Sequence, residues 1–170
     1  MSVIGIDQSY SGFAIATEEE VRVHNFPLSK YPSDAHRLEH IYSWFHNMLV
    51  YDNGVEFVTM EGYAPGAKFG REMAGELGGA VKIACARAGV PVVAVAPTTL
   101  KKFVTGRGNA KKNEMLLGVY KRWGEEFTND NAADAFSLRQ FGRAYWKDDV
   151  ANLLVAQIKV VKEFRDKHPR

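Results

Sequence analysis

Three acidic residues stand at the ends of separate predicted elements, where their carboxylates could do chemistry. Asp7 and Glu61 each end an apolar run, and Asp134 falls in the first turn of a late helix. A carboxylate at the end of an apolar strand is costly unless it is solvated, paired or metal-bound. Carboxylates that converge from different elements suit Mg²⁺ or Mn²⁺, which prefer oxygen ligands. Two such ions about 3.5–4 Å apart can activate water for phosphodiester hydrolysis.

A purely structural explanation is open for each of these acids. Any one of them could simply mark the end of an element, and Asp134 could favour the helix dipole. Asp130 could be the N-cap residue of the same helix. Acids at three element ends together favour the metal site, although their spacing alone determines neither the metal nor the substrate.

A basic segment lies between Thr98 and Trp123. Its net charge is +6, and the total of +2 leaves −4 for the rest of the chain. On charge alone, this contrast suits a surface that binds a polyanion and a solvated helix face equally. The charged residues of the basic segment are Lys101, Lys102, Arg107, Lys111, Lys112, Glu114, Lys121 and Arg122.

The loop at residues 105–109 favours the polyanion. It carries Arg107 and precedes a helix N-terminus, with Lys111 and Lys112 in the first turn of that helix. Cations at this position oppose the helix dipole, and a bound phosphate would account for them. We therefore predict phosphate contact by this loop.

The elements that must position these residues follow from the hydrophobic periodicity. A meander of strands followed by alternating strands and helices predicts an α/β fold, with a mixed β-sheet flanked by helices and an extra C-terminal helix. Ligands of such sheets bind beyond the carboxyl ends of the strands, where Asp7 and Glu61 meet if their strands are neighbours. The predicted strands are 3–7, 12–17, 21–26, 55–60 and 91–96. The first predicted helix has Ser33 as its N-cap and ends at residue 51. Further helices are predicted over 71–88, 110–123, 131–145 and 149–167, and a short helix is predicted to begin at Pro97.

Composition predicts one folded domain over residues 1–170. The chain is 46% hydrophobic and 25% charged, which excludes disorder. The single cysteine, Cys85, excludes disulfides and suits a small core residue in a reducing compartment. No apolar run approaches the ~20 residues of a membrane span, and no basic region opens a signal peptide. A cytoplasmic location with no membrane partner is expected.

Two other motifs predict structure rather than chemistry. Residues 36–40 read HRLEH, which matches an H-x-x-E-H zinc motif. At ~100° per residue, His36 and His40 lie roughly opposite the apolar stripe of their helix and would point to solvent. The glycine-rich residues 75–79 lack the Gly-Lys-Ser/Thr ending of a phosphate loop and are typical of close helix–sheet packing.

Five further segments of the chain form an ordered set of motifs. They are 4–12 (IGIDQSYSG), 60–63 (MEGY), 75–81 (GELGGAV), 106–112 (GRGNAKK) and 131–136 (NAADAF). In this order they resemble motifs of RuvC-type Holliday junction resolvases, most closely the bacteriophage branch. The resemblance spans about residues 1–145, and residues 149–167 extend beyond the family's usual end.

This resemblance implies a ribonuclease H-like fold, a homodimer, and paired nicks in the strands of a four-way DNA junction. It implies two Mg²⁺ or Mn²⁺ ions per active site, held by Asp7, Glu61 and Asp134. Lys101 and Lys112 match family positions near the scissile phosphate, and Lys112 would orient or activate the attacking water or stabilise developing charge. The expected DNA-binding cations are Lys101, Lys102, Arg107 and Lys111.

Three departures from the family pattern concern the site. Gln8 stands where the family has proline after the first aspartate. The family's penultimate acid falls on Asn131, and Asp130, one residue earlier, could supply that carboxylate as a further catalytic and metal-binding residue. The family's aromatic wedge falls on Ala64, so Tyr63 or Phe69 is predicted to stack on the opened junction instead.

Several alternatives stay open. Another ribonuclease H-like nuclease would act on flaps, forks or RNA–DNA hybrids, and Asn131 leaves room for a non-catalytic protein that binds branched DNA. A phosphotransferase of the actin and sugar-kinase type shares the opening strand pattern but needs two domains, for which 170 residues are too few. The C-terminal helix is expected to pack on the core, or else to contact a second copy or DNA.

Overall fold

A computed structural model of the chain describes residues 2–51, 54–62 and 71–169. Its strands are β1 Ser2–Asp7, β2 Phe13–Ala16, β3 Val21–His24, β4 Val55–Glu61 and β5 Val92–Val95. Its α-helices are α1 Asp34–Tyr51, α2 Arg71–Ala88, α3 Pro97–Thr105, α4 Lys112–Trp123, α5 Asp130–Lys147 and α6 Val155–Lys167.

The five strands form one mixed sheet in the order β3-β2-β1-β4-β5. The first three strands pair antiparallel, whereas β4 runs parallel to both β1 and β5. Ile6 of β1 lies beside Met60 of β4, so the next residues, Asp7 and Glu61, end neighbouring strands at one edge. The predicted mixed sheet and the predicted adjacency of these two strands are confirmed.

Helices cover both faces of the sheet. Ile4 and Ile6 of β1 belong to the core under α1 and α2, together with Phe13 and Phe45. Val3, on the opposite face of the same strand, belongs to the core under α3–α6. Because successive strand residues point to opposite faces, Asp7 lies on the same side as Val3 and therefore beneath α5.

Helix α5 lies directly against the sheet at two glycines. A Cβ atom added at Gly5 would lie 2.1 Å from the carbonyl oxygen of Ala135, and one added at Gly142 would lie 2.0 Å from Thr59 Oγ1. Glycine permits this approach because it has no side chain to hold the helix away. The approach sets the height of Asp134 above the end of β1.

The starts of two helices differ from the prediction. Asn129 caps α5, with its side chain accepting a hydrogen bond from Ala132 N at 3.1 Å. The interpretation of Asp130 as the N-cap is therefore wrong, because Asn129 has the extended backbone that a cap requires and Asp130 is already helical. Helix α4 begins at Lys112 rather than at residue 110.

The C-terminal helix begins later than predicted and packs on the core. Asp148 adopts a left-handed conformation with φ of 56° that ends α5, and α6 then begins at Val155. The apolar pattern of residues 149–167 predicts Leu154 and Ile158 on the same buried face as Val161 and Phe164, but Leu154 and Ile158 are 57% and 36% exposed. The helix packs on α3 and α5 through four buried residues, Gln157, Val160, Val161 and Phe164.

The HRLEH motif lies away from the site. His36 and His40 are both exposed, as predicted, and Ser33 caps α1 by accepting from His36 N at 3.4 Å. Arg37 is buried instead, paired with Asp34. None of the helices that the structure describes is both long and apolar enough to cross a membrane.

Candidate active site

Asp7, Glu61 and Asp134 come together at the carboxyl edge of the sheet. Asp7 and Glu61 end the adjacent parallel strands β1 and β4, and their carboxyl groups share a hydrogen bond. Asp134, in the second turn of α5, is close enough that its charge acts on Asp7 and is acted on by Glu61. Three acids that are 54 and 73 residues apart in the chain thus form one cluster, the acidic cluster.

Burial and mutual repulsion keep protons on the acidic cluster. Asp7 is 6% exposed, and burial followed by the charges of Glu61 and Asp134 raises its pKa to about 9. Burial, followed by the charge of Glu61, raises the pKa of Asp134 to about 7. Burial also raises the pKa of Glu61, while the hydrogen bond from Asp7 opposes this. Asp7 and Glu61 thus share a proton between their carboxyl groups.

The donor chemistry of the acidic cluster fits a divalent cation. All three residues supply carboxylate oxygen, the preferred donor of Mg²⁺ and Mn²⁺, and positive charge would relieve their repulsion. Within residues 2–51, 54–62 and 71–169, no three acidic, histidine or cysteine side chains surround one point closely enough to hold an ion as they are placed. Rotation of the carboxyl groups would have to complete such a cage.

Gln8 secures the end of β4 beside the acidic cluster. Its side chain is 7% exposed, and Nε2 donates a hydrogen bond of 2.7 Å to the carbonyl oxygen of Glu61. Its Oε1 is buried and has no hydrogen-bond partner among the residues that the structure describes. Sequence reasoning noted only that Gln8 replaces a proline, and proline could make no such contact because it has no side-chain donor.

Asn131 joins the start of α5 to the turn after β1. Its Nδ2 donates to the carbonyl oxygen of Gly12 at 2.9 Å and lies 3.5 Å from Ser9 Oγ. A Cβ atom added at Gly12 would lie 2.1 Å from the same Nδ2. Asn131 therefore fills the space above a buried glycine and contacts the segment that follows Asp7.

Asp130 lies at the rim of the site and forms an ion pair with Lys112. The side chain of Lys112 is 82% exposed. The hydrogen bond from Lys112 lowers the pKa of Asp130, in contrast to the raised values in the acidic cluster. Asp130 as a metal ligand and Lys112 as a catalytic residue stay predictions.

The predicted DNA-binding cations occupy different surroundings. Lys101 is near the acidic cluster, since its charge lowers the pKa of both Glu61 and Asp134.

The other three predicted DNA-binding cations lie near acidic side chains of their own surroundings. Lys102 pairs with Glu163 of α6 at 3.2 Å, and Arg107 pairs with Glu114. Lys111 is exposed, and its backbone N donates to Glu114 Oε2 at 2.7 Å. Tyr63 and Phe69, the predicted wedge residues, lie outside the described residues.

Comparisons with solved structures find the same fold in a resolvase, although no family model matches the chain. The structure of Thermus thermophilus RuvC superposes with a TM-score of 0.68 and 25% sequence identity, covering 91% of this chain and all of that one. T. thermophilus RuvC in complex with a Holliday junction substrate superposes with a TM-score of 0.62 and 26% sequence identity. This superposition covers 81% of this chain and 89% of that one.

The expected ribonuclease H-like fold is confirmed by this superposition. The resemblance seen in the motifs thus extends to the three-dimensional structure, and the bacteriophage branch stays a prediction. Over about nine-tenths of its length, this chain is similar in structure to T. thermophilus RuvC, and its motifs resemble those of the RuvC-type Holliday junction resolvases.

Proposed function

We propose that this chain is a metal-dependent endonuclease that resolves four-way DNA junctions by paired phosphodiester hydrolysis. The observation that carries the proposal is the acidic cluster, in which a buried carboxyl from β1 lies beside half-buried carboxyls from β4 and α5 at one sheet edge. Its support is the fold shared with T. thermophilus RuvC, which has been solved with a Holliday junction substrate.

Asp7, Glu61 and Asp134 would hold the divalent cations. Bound there, two ions would supply Lewis-acid activation of a water and charge stabilisation of the leaving oxygen. The acidic cluster must first release its protons, because carboxyls bind metal in their ionised form. Binding is therefore expected to strengthen as the pH rises toward the raised pKa values of Asp7 and Asp134.

Lys101 and Lys112 would position the scissile phosphate at the acidic cluster. Lys101 is the nearer candidate, since its charge acts on Glu61 and Asp134. Lys112 belongs to α4, and Asp130 holds it at the rim. A phosphate that enters the site would compete with Asp130 for the Lys112 ammonium group, which would then stabilise charge developing on the phosphate.

The Lys112→Ala and Arg107→Ala variants are expected to differ in which step they slow. Lys112→Ala lowers the single-turnover cleavage rate more than junction affinity, because the ammonium acts near the reacting phosphate. Arg107→Ala mainly weakens binding, because Arg107 stands on the loop before α4. Cleavage time courses and binding isotherms at one fixed salt concentration measure both effects, since phosphate contacts depend on salt. The opposite pattern would exchange the two roles.

Paired cuts require two active sites, and we propose that a second copy docks on the groove between α1 and α2. This groove has a volume of about 560 Å³ and includes Ile83, which is 54% exposed. Glu76 and Arg87 lie at opposite ends of its α2 side. With two α2 helices antiparallel about a twofold axis, Glu76 of each copy faces Arg87 of the other, and Ile83 faces Ala80.

An Ile83→Glu variant is expected to be a monomer with a mass near 19.0 kDa by light scattering. Two buried, unpaired carboxylates per interface would oppose association, and each site would then nick one strand independently. Val155→Glu is the matched control, since Val155 is 84% exposed on α6, the alternative dimer surface. Loss of the dimer in Val155→Glu with its retention in Ile83→Glu would move the interface to α6.

The decisive test of the function is cleavage of a synthetic four-way junction by the purified protein in Mg²⁺. We expect symmetric nicks in two strands, with linear duplex of the same sequence left intact. Flaps, forks and RNA–DNA hybrids belong in the same panel. Preferred cutting of any of these would assign the chain to another class of ribonuclease H-like nuclease, and binding without cutting would make it a junction-binding protein.

A further inference from the structure

Two adjacent residues at the start of α5 make different contacts. Asp130 pairs with Lys112 of α4, whereas Asn131 hydrogen-bonds to the carbonyl oxygen of Gly12 in the turn that follows Asp7. Three residues after Asn131, on the same helix, stands Asp134 of the acidic cluster. The Asn131–Gly12 contact therefore links the segments that carry Asp7 and Asp134.

The contact requires a donor at position 131. Gly12 offers a carbonyl oxygen, which accepts but cannot donate, and the asparagine amide supplies the N–H at 2.9 Å. An aspartate has the same shape but only acceptor oxygens when ionised, so it would oppose the Gly12 carbonyl. The surrounding space is also specific to this pair, because a Cβ atom at Gly12 would lie 2.1 Å from Nδ2.

We propose that Asn131 is a positioning residue that holds α5, and with it Asp134, in register with the turn after Asp7, and that it is not a metal-binding position. This inference rests on the proposed function, because the register it maintains is that of the acidic cluster. The contact to Gly12 requires an amide at position 131, whereas a carboxylate would be the better residue there for binding a metal ion.

The Asn131→Asp variant separates the two roles because they predict opposite signs. If position 131 faced the metal, an added carboxylate would tighten Mn²⁺ binding and preserve or raise cleavage. If Asn131 positions α5, the variant loses the hydrogen bond to Gly12. We then expect cleavage at saturating junction to fall about tenfold or more, with Mn²⁺ affinity unchanged or weaker. Titration calorimetry with Mn²⁺ alone measures affinity without requiring cleavage.

Asn129→Asp is the matched control for charge. It adds the same carboxylate two residues earlier, at the N-cap, where an aspartate accepts from Ala132 N as well as asparagine does. We expect its cleavage rate and Mn²⁺ affinity to stay within twofold of the unchanged chain. An equal effect of Asn129→Asp would show that charge near the helix start, rather than the contact to Gly12, is responsible, and would overturn the proposal.

Gly12→Ala disturbs the same contact from its other side. The added methyl group must displace the Asn131 amide, while the backbone of Gly12 does not need glycine because its φ is not positive. The same loss of cleavage without tighter Mn²⁺ binding is expected. Thermal melting in EDTA should show both variants folded, and unfolding of both would make the contact structural and overturn the proposal.

Three further results would count against the positioning role. These are tighter Mn²⁺ binding by Asn131→Asp, cleavage retained within twofold, and a rate loss explained entirely by weaker junction binding. Failure of the proposed function looks different, because the unchanged chain would then not cleave a junction at all. The Mn²⁺ titrations of the two variants would still report on position 131 in that case.

Discussion

An Asp7→Asn variant is expected to lose four-way junction cleavage by about a thousandfold or more while still binding the junction. Asp7 is the most buried member of the acidic cluster and the one in contact with Glu61. Asparagine keeps the shape but is a weaker ligand for a divalent cation, which supplies several kcal/mol of transition-state stabilisation. Each 1.36 kcal/mol is a factor of ten in rate.

Single-turnover cleavage in Mg²⁺ and gel-shift binding in EDTA separate the two effects. Asp166→Asn is a suitable control, because it makes the same chemical change on an exposed position of α6. Unchanged cleavage by Asp7→Asn would refute the metal site. A large loss of junction binding would instead make Asp7 a residue that supports the fold or the DNA interface.

The metal-free protein is expected to become less stable as the pH rises from about 4 to about 9. The pKa values of Asp7 and Asp134 are raised to about 9 and about 7, against an ordinary value of 3.8. Between these limits the folded state holds protons that the unfolded state has released, so the free energy of unfolding falls with pH. Below pH 4 both states are protonated and this stabilisation is fully present.

Melting curves in EDTA across this pH range measure the effect. A pKa difference of one between folded and unfolded states is about 1.4 kcal/mol, or roughly 3–6 °C in the melting temperature of a chain of this size. Asp7→Asn should flatten the dependence, because it removes the carboxyl whose pKa is raised to about 9. Added Mn²⁺ should stabilise more strongly at high pH, since it binds ionised carboxylates. A flat melting temperature in EDTA would contradict the buried, protonated cluster.

The acidic cluster could be predicted in part from the sequence, because the end of an apolar run marks the end of a strand. Apolar runs that end in Asp7 and Glu61 placed both acids at one sheet edge, provided that their strands were neighbours, and β1 and β4 do pair in parallel. Helix α5 brings Asp134 to the same edge. The apolar runs were sufficient for the pairing of Asp7 with Glu61, whereas the place of Asp134 beside them was implied by the resemblance to the RuvC-type resolvases.

Contacts between distant polar side chains could not be predicted in the same way. Gln8 and Glu61 are 53 residues apart, and Asn131 and Gly12 are 119 apart. Neither contact can be predicted from hydrophobic periodicity. Periodicity shows which face of an element is buried, whereas each of these contacts depends on where two elements end in space. The departures from the family pattern at Gln8 and Asn131 marked the right positions without revealing their partners.

The predicted start of a helix was wrong where two adjacent residues could both serve as its N-cap. Asn129 and Asp130 can both cap a helix, and only the backbone conformation shows that Asn129 does so. The start of α6 depends on the left-handed Asp148, and a non-glycine residue gives little sequence warning of that conformation.

The contact of α5 with the sheet at Gly5 and Gly142 has a consequence for metal selectivity. At Gly5 the nearest atoms of α5 are backbone atoms, and at Gly142 the helix lies directly on the side chains of Thr59 and Val3, so repacking cannot narrow the gap between the Asp7 and Asp134 backbones. A lineage adapting this scaffold to a larger ion, or an engineer wishing to do so, would have to exchange the ligating groups themselves. The preference of the site for one ion over another would then change only when a ligating side chain is replaced by one of another type. The distance between the backbones of β1 and α5 would stay the same.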